Sequence, residues 1–319
     1  MRSKRILVAL IVAVMALSLS ACNSGLALYV NVNVGDSYKY HIEMDQTMNV
    51  EQSGQSVETN QNMVYDFIVS VNDVDSEGNI TADYKYDALK IDIESNGAKQ
   101  SFDSKNANAD DSMSAIYSSF IGKGFTAKMT KYGEIKEISG VDNLLNSIVD
   151  SMDLGEDEVA QVFKEQTKES LRQSFGDEAI KSAVQSATVF PDTESIKVGD
   201  TWTVDNSVKT IVDMKMTTTY TLDKVEGEIA YISVKADYKS DPSTASDYMG
   251  MQMTTDLSGT MTGSIKVNTK NGFLSEGQMT QEYSGKMSIV VPAMEGLESQ
   301  TVEIPMDSKG TITYSTTKM

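Results

Sequence analysis

From Tyr38 onward the chain alternates apolar and polar residues over runs far longer than an ordinary strand, and this limits what it can become. Tyr38, Tyr40, Ile42, Met44, Met48 and Val50 share one phase. Past a turn near Ser53-Gly54, Val57, Met63, Tyr65, Phe67, Val69 and Val71 continue it. After a turn at 75–79 come Ile80, Ala82, Tyr84 and Tyr86, and then the phase slips to Leu89, Ile91 and Ile93, as at a bulge. A period of two places every second side chain on one face, so these runs predict antiparallel strands with one covered face. Helical spacing is confined to the middle. Met113, Ile116, Tyr117, Phe120 and Ile121 predict a helix capped by Asp111 or Ser112 and ended by Gly122. Leu145, Ile148, Val149 and Met152 predict a second, behind Asp142. Val159, Val162, Phe163, Leu171 and Phe175 predict a third, ended by Gly176, and a fourth covers about Glu178 to Ala187. Between the first two lies a hairpin turning at Tyr132-Gly133.

The pattern occurs twice. Gly35-Asp36-Ser37-Tyr38 is echoed by Gly199-Asp200-Thr201-Trp202. The run 65–89 is echoed by 220–241, and 128–138 by 266–277, in the same order. Either a β-unit has been duplicated and has diverged, or strands of this composition resemble one another by chance. The expected organisation is a signal segment 1–21 and one mature domain 22–319. The domain divides into β-repeat one 26–140, a helical segment 141–188 and β-repeat two 189–319. The expected fold is α+β and mostly antiparallel: a long, strongly curled half-barrel sheet from two related units, with about four helices packed against it.

The N-terminus sets the compartment. Arg2, Lys4 and Arg5 precede the apolar run Ile6 to Leu17, which is short for a membrane span and suited to a signal core. Leu19-Ser20-Ala21-Cys22 follows. It resembles the bacterial lipobox, and the resemblance implies cleavage before Cys22 and acylation of its thiol, giving a body lipid-anchored outside the cytoplasm. The other reading is a plain secretory signal with a chance Cys. Two acyl chains suffice for stable attachment. Cleavage removes three cations, leaving 24 basic against 46 acidic side chains. That surface is soluble, and it argues against nucleic acid as a partner. Only Asn23-Ser24-Gly25 separates Cys22 from the next alternating run, Leu26, Leu28, Val30, Val32 and Val34, so the body is expected close to the bilayer.

Chemistry-bearing constellations are few. One Cys allows no internal disulfide and no Cys-cluster metal site. The single His, His41, lies on the polar phase of its strand, with no nucleophile motif and no evident orienting carboxylate. Asp73, Asp75, Glu77 and Gly78 resemble half an EF-hand loop, but position twelve is Tyr84 and the flanks alternate, which favours a hairpin turn. Met249, Met251 and Met253, with Met214 and Met216, fit either a copper(I) thioether cluster or one strand face. Glu156, Asp157 and Glu158 suit a helix N-terminus. No cofactor is expected.

The order of lipobox, alternating run, G-D-S-Y, helical midsection ending FGDEAIKSAVQ (175–185) and VFPDTESIKVGDTW (189–202) resembles a family of uncharacterised bacterial lipoproteins with paired G-D-[ST]-[YW] strand starts. More distantly, the expected architecture is similar to LolA/LppX-type half-barrel lipoproteins, which implies a hollow that holds lipid. Three functions compete. The first is a non-enzymatic binder whose cleft between sheet and helices takes a lipid or other hydrophobic ligand. Tyr38, Tyr40, Ile42, Met44, Tyr65, Phe67, Met214, Met216 and Tyr220 would line that cleft. The second is a structural lipoprotein with a filled core and an envelope protein partner. The third is an enzyme, for which no catalytic motif speaks.

Overall fold

The computed structural model describes residues 25–52, 54–106, 112–152, 155, 157–186, 190–191, 195–209, 213–248, 251–291 and 299–319. The signal segment, Cys22, Asp111, Glu156 and Met249 lie outside the described residues.

Alternation becomes sheet nearly throughout. The first unit is a meander of β1 (Ser37–Gln52), β2 (Gln55–Val74), β3 (Ile80–Ser95), β5 (Gly124–Met129) and β6 (Ile135–Ser139), with β4 (Ala98–Asp103) pairing beside β3. The second is a meander of β7 (Thr201–Lys209), β8 (Asp213–Glu226), β9 (Ile229–Ser240), β11 (Met251–Asn268), β12 (Leu274–Val291) and β13 (Gln300–Lys318), with β10 (Ser246–Tyr248) beside β11. The units fuse where β1 pairs with β13, from Tyr38 opposite Lys318 to Val50 opposite Met306. All thirteen strands thus form one antiparallel sheet. The helices are α1 (Ser112–Ser118), α2 (Val141–Ser151), α3 (Glu158–Phe175) and α4 (Asp177–Ser186).

The expected half-barrel around four helices is overturned. The sheet is open, ending in β6 on one side and β7 on the other, and these edges do not pair. Instead α1 meets β4, α2 meets β5, and α4 packs against β6 and β7, attending both free edges. The LolA-type likeness falls with the half-barrel. A period of two states which face a residue takes and is silent about curvature, so a curled shape was never in the residues themselves. The third helix differs too. Asp157 caps α3 by accepting from the Ala160 N–H at 2.7 Å, yet Val162 and Phe163 are 58% and 53% exposed. This helix packs mainly on α2 and α4, so only part of its apolar stripe is covered.

The two units are built alike in detail. Gly35 donates to the Val71 carbonyl at 2.9 Å, and Val71 to that of Asp36 at 2.9 Å. Gly199 donates to Leu222 at 2.8 Å, and Leu222 to Asp200 at 3.0 Å. The Asp36 carboxylate accepts from the Asn33 N–H, as Asp200 does from Lys197. Both glycines have φ above +90° or at it, a conformation side chains resist, which explains Gly before Asp in each copy. Bulges also coincide: after Val71 and after Leu222, and between Lys128 and Met129 as between Lys266 and Val267.

One end of the sheet, the base, holds the core. The run Leu26 to Val34 is no sheet strand, because it crosses between units and bonds to turns. Leu26 exchanges backbone hydrogen bonds with Ile196, Val30 donates to Lys131 at 2.8 Å, and Asn31 to Asn271 at 3.0 Å. Its inward side chains are divided between two clusters. Leu28 joins Leu222, Ile232, Ile265 and Val267 of the second unit, while Val30 and Val32 join Tyr38, Val69, Ile80 and Ile135 of the first. This crossing segment is a plug that sews the units together.

Candidate functional site

Cross-strand register collects the expected ligand residues onto one face. Tyr38 lies opposite Val69, Tyr40 opposite Phe67, Ile42 opposite Tyr65 and Met44 opposite Met63. Five of the expected residues, Tyr40, Ile42, Met44, Tyr65 and Phe67, therefore form a contiguous block, with Tyr38 at its basal end. Tyr220, Met216 and Met214 share the face but stand on β8, opposite Val234, Tyr238 and Ser240. In strand order β8 stands five places from β1, yet Tyr220 packs in one cluster with Ile312 and Tyr314, the cross-strand partners of Met44 and Ile42.

Depth along the strands sorts them further. Tyr38, 2% exposed, packs on Phe273 with ring centroids 4.1 Å apart, and Tyr220 stacks on Trp202 at 5.5 Å. These basal rings are core. Burial pushes the Tyr86 and Tyr220 phenols up to about 12. Above the base, Tyr117 of α1 covers Phe102 at 5.0 Å, and Ile121 joins it over Leu89 and Ile91. A polar belt then crosses the face at Gln46, whose amide donates to Tyr283 Oη at 3.2 Å and Ser308 Oγ at 2.8 Å. Beyond the belt the face turns apolar again. Met48, Val50, Ile304, Met306 and Met287 are half-buried and belong to none of the four core clusters, and the same holds for Met44 just below it.

One concavity lies on the opposite face. A cavity of about 660 Å³ opens on the polar face, lined by Asp45, Thr47, Asn60, Asn62, Asp92 and Lys309 among others. Its lining comes from the face opposite the expected Met and Tyr residues.

The polar face also carries a charge cluster that escaped the sequence reading. Asp66, 6% exposed, accepts from Lys39 Nζ at 2.8 Å and lies 2.6 Å from His41 Nδ1. A bulge at Asp87 turns that residue toward the same Lys39 at 2.8 Å. Burial works to raise the Asp66 pKa, but the hydrogen bonds from Lys39 and His41 prevail and hold it below the usual carboxylate range. The carboxylate therefore stabilises the fold above that range, and the contribution fades as pH falls through about 3.8 and lower. Asp66→Ala should destabilise the protein by about 1–3 kcal/mol at pH 7, with the gap from wild type closing toward pH 3 in urea titrations. A gap that stays constant with pH would show that packing, not charge, is what was lost.

The remaining candidates resolve into local structure. Asp75 Oδ1 accepts from the Glu77 and Asn79 N–H groups, and Lys128 Nζ sits 3.0 Å from Oδ2, so ammonium and amide donors occupy the would-be calcium ligand in a hairpin turn. Met253 is buried opposite Ile289, among apolar side chains of the same face as Met214 and Met216. Among the described residues no group of His, Cys, Asp or Glu is arranged to hold a metal, and no helix is long and apolar enough to cross a membrane.

Comparison with known proteins gives a family and little else. No curated protein matches the chain. Among solved structures it is similar to lipovitellin, described for its lipid–protein interactions, at 8% identity and a TM-score of 0.44 over 88% of this chain. The chain spans 25% of lipovitellin's length. It is also similar to OpdQ of Pseudomonas aeruginosa at 7% identity and a TM-score of 0.20, covering 90% of this chain and 100% of that one. For the COG4313 outer membrane channel of Pseudomonas putida F1 the values are 7%, 0.22, 89% and 97%. These scores are too low to carry any inference. The family profile is decisive by comparison: residues 77–274, more than half of the chain, match it, and the chain belongs to the Family of unknown function (DUF6263).

Proposed function

We propose that this protein is a non-enzymatic, extracytoplasmic lipoprotein, anchored through an acylated Cys22, that holds a lipid or other hydrophobic molecule against the Met-rich part of its sheet. One observation carries the reading: Met44, Met48, Ile304, Met306 and Met287 share the apolar face yet lie outside every core cluster. A folded chain gains by covering such a face. Thioether side chains are unbranched and polarizable, so they adapt to a flexible acyl chain better than β-branched ones would. The lipobox residues supply the anchor, and the acidic body supplies solubility outside the bilayer.

Native mass spectrometry of the mature protein should find a bound lipid-sized mass. Met44→Lys combined with Met306→Lys should lower its occupancy at least fivefold, because a buried ammonium opposes an apolar ligand. Wild-type protein that carries nothing, and takes up no added fatty acid or phospholipid, would refute the binding role. A second reading, an envelope protein that docks a partner, draws on the exposed Val162 and Phe163 of α3. Site-specific crosslinking from position 163 in cells discriminates the two, since only the second predicts a discrete protein adduct.

A further inference from the structure

The base of the sheet is unlike the rest of this acidic molecule. Along the plug, the inward positions are Leu26, Leu28, Val30 and Val32, so the outward ones are Ala27, Tyr29, Asn31 and Asn33, none of them charged. Val34 and Val198 extend the uncharged strip. They occupy the same place in the two G-D turns, one residue before the glycine, and each is 60% exposed. The C-terminal Met319, whose N–H donates to the Ser37 carbonyl, is 70% exposed at the same end.

Four of the base carboxylates are paired within the fold, while the exposed Asp73, Glu77 and Asp200 at the same end stand outside these pairs. Asp36 holds Lys318 at 2.6 Å, Asp75 holds Lys128 at 3.0 Å, Glu226 holds Lys224 at 2.8 Å and Glu228 holds Lys270 at 2.5 Å. Beside the plug, Lys131 Nζ stands 5.1 Å from the centroids of both Tyr29 and Tyr132. Tyrosine and lysine, each with an apolar body and a polar tip, are the side chains that settle at a water–lipid boundary.

Chain length then limits the distance. Gly25 adjoins Leu26, which is pinned by its backbone pair with Ile196. Three residues lead from Cys22 to Gly25, and a fully extended chain spans at most about 3.3–3.6 Å per residue, so an acylated Cys22 keeps Gly25 within about 11 Å of the attachment point. The far ends of the strands lie about 50 Å away, since β1 alone has 16 residues.

We infer that the base is a membrane-apposed face: Val34, Val198 and the Tyr29–Lys131–Tyr132 group rest at the headgroup level of a lipid bilayer, and the strands stand away from it. The inference rests on the Cys22 anchor proposed above and adds an orientation to it. The apolar side chains enter the interface, the Lys131 ammonium meets phosphate oxygens, and four of the base carboxylates meet the headgroups already paired with lysine. The Met-rich face then opens far from the bilayer surface, on the distal part of the strands.

The test uses mature protein with its anchor, bound to phosphatidylcholine–phosphatidylglycerol vesicles that contain doxyl-labelled lipid. Single cysteines at Val34→Cys, Val198→Cys and Ser56→Cys carry an environment-sensitive fluorophore; all three sites are exposed, so labelling leaves the core intact. Positions 34 and 198 should be quenched at least threefold more than position 56 at the strand tips. Met319→Cys provides a further basal site should either turn variant misfold. Intact mass on the same sample reports acylation. Acylated protein quenched equally at all sites, or most at 56, overturns the orientation and leaves the anchor standing. Unacylated protein that does not bind vesicles overturns the anchor and the orientation together.

Discussion

Leu222→Ala is expected to lower the unfolding free energy by about 2–5 kcal/mol, seen as a lower urea midpoint at unchanged slope. Leu222 is 0% exposed and sits where three constraints meet. Its N–H donates to Asp200 and its carbonyl accepts from Gly199, so the second G-D turn is hung on its backbone. Its side chain touches the cluster that includes Leu28 of the plug and Ile232 of the neighbouring strand. Truncation leaves a cavity that backbone bonding on both sides prevents from collapsing. Val162→Ala, on the exposed part of α3, should change stability by less than about 0.5 kcal/mol. Equal effects at the two positions would mean that the basal cluster is not the core of the second unit.

Gly272→Ala should be comparably damaging by a different route. Gly272 has φ +75°, and a Cβ there would stand 2.0 Å from the Tyr29 carbonyl oxygen and 2.5 Å from its carbon. Both are backbone atoms of the plug and have nowhere to rotate. Ala must therefore accept a left-handed conformation and push the plug away, straining the Asn31-to-Asn271 bond and the Phe273 ring against Tyr38. The expected loss is about 2–5 kcal/mol, the sum of the conformational and steric terms. Gly54→Ala isolates the first of these, because φ is +78° with no atom within 4 Å, so about 1–2 kcal/mol is expected. Denaturation curves that superpose for the two variants would show that the close approach at Tyr29 is relieved at no cost.

The residues announced local structure better than arrangement. Stripes at helical spacing marked α1 and α2, and the phase slip between Tyr86 and Leu89 marked the bulge at Asp87. The His41–Asp66 pair was within reach as well. A two-residue turn at 53–54 puts Gln52 opposite Gln55, and counting back along both strands puts His41 opposite Asp66. Faces were legible, which is why all nine expected ligand residues lie on one side of the sheet. Neighbours were not. Nothing in a period of two tells β1 to choose β13 for its free side, or keeps Met214 five strands from Met44. The plug shows the same limit: it alternates as a strand does, but its partners are turns from both units. The helix stripe through Val162 and Phe163 signalled an apolar surface without saying whether this chain would cover it.

The seam between β1 and β13 has a consequence for biogenesis. Tyr38 finds its partner in Lys318, far along the chain, so a strand made early waits for one made much later. Until then its outer rim offers unsatisfied amides to any passing extended segment. A product cut short by even twenty residues would keep that rim bare permanently, and quality-control proteases would meet it as an unfinished edge.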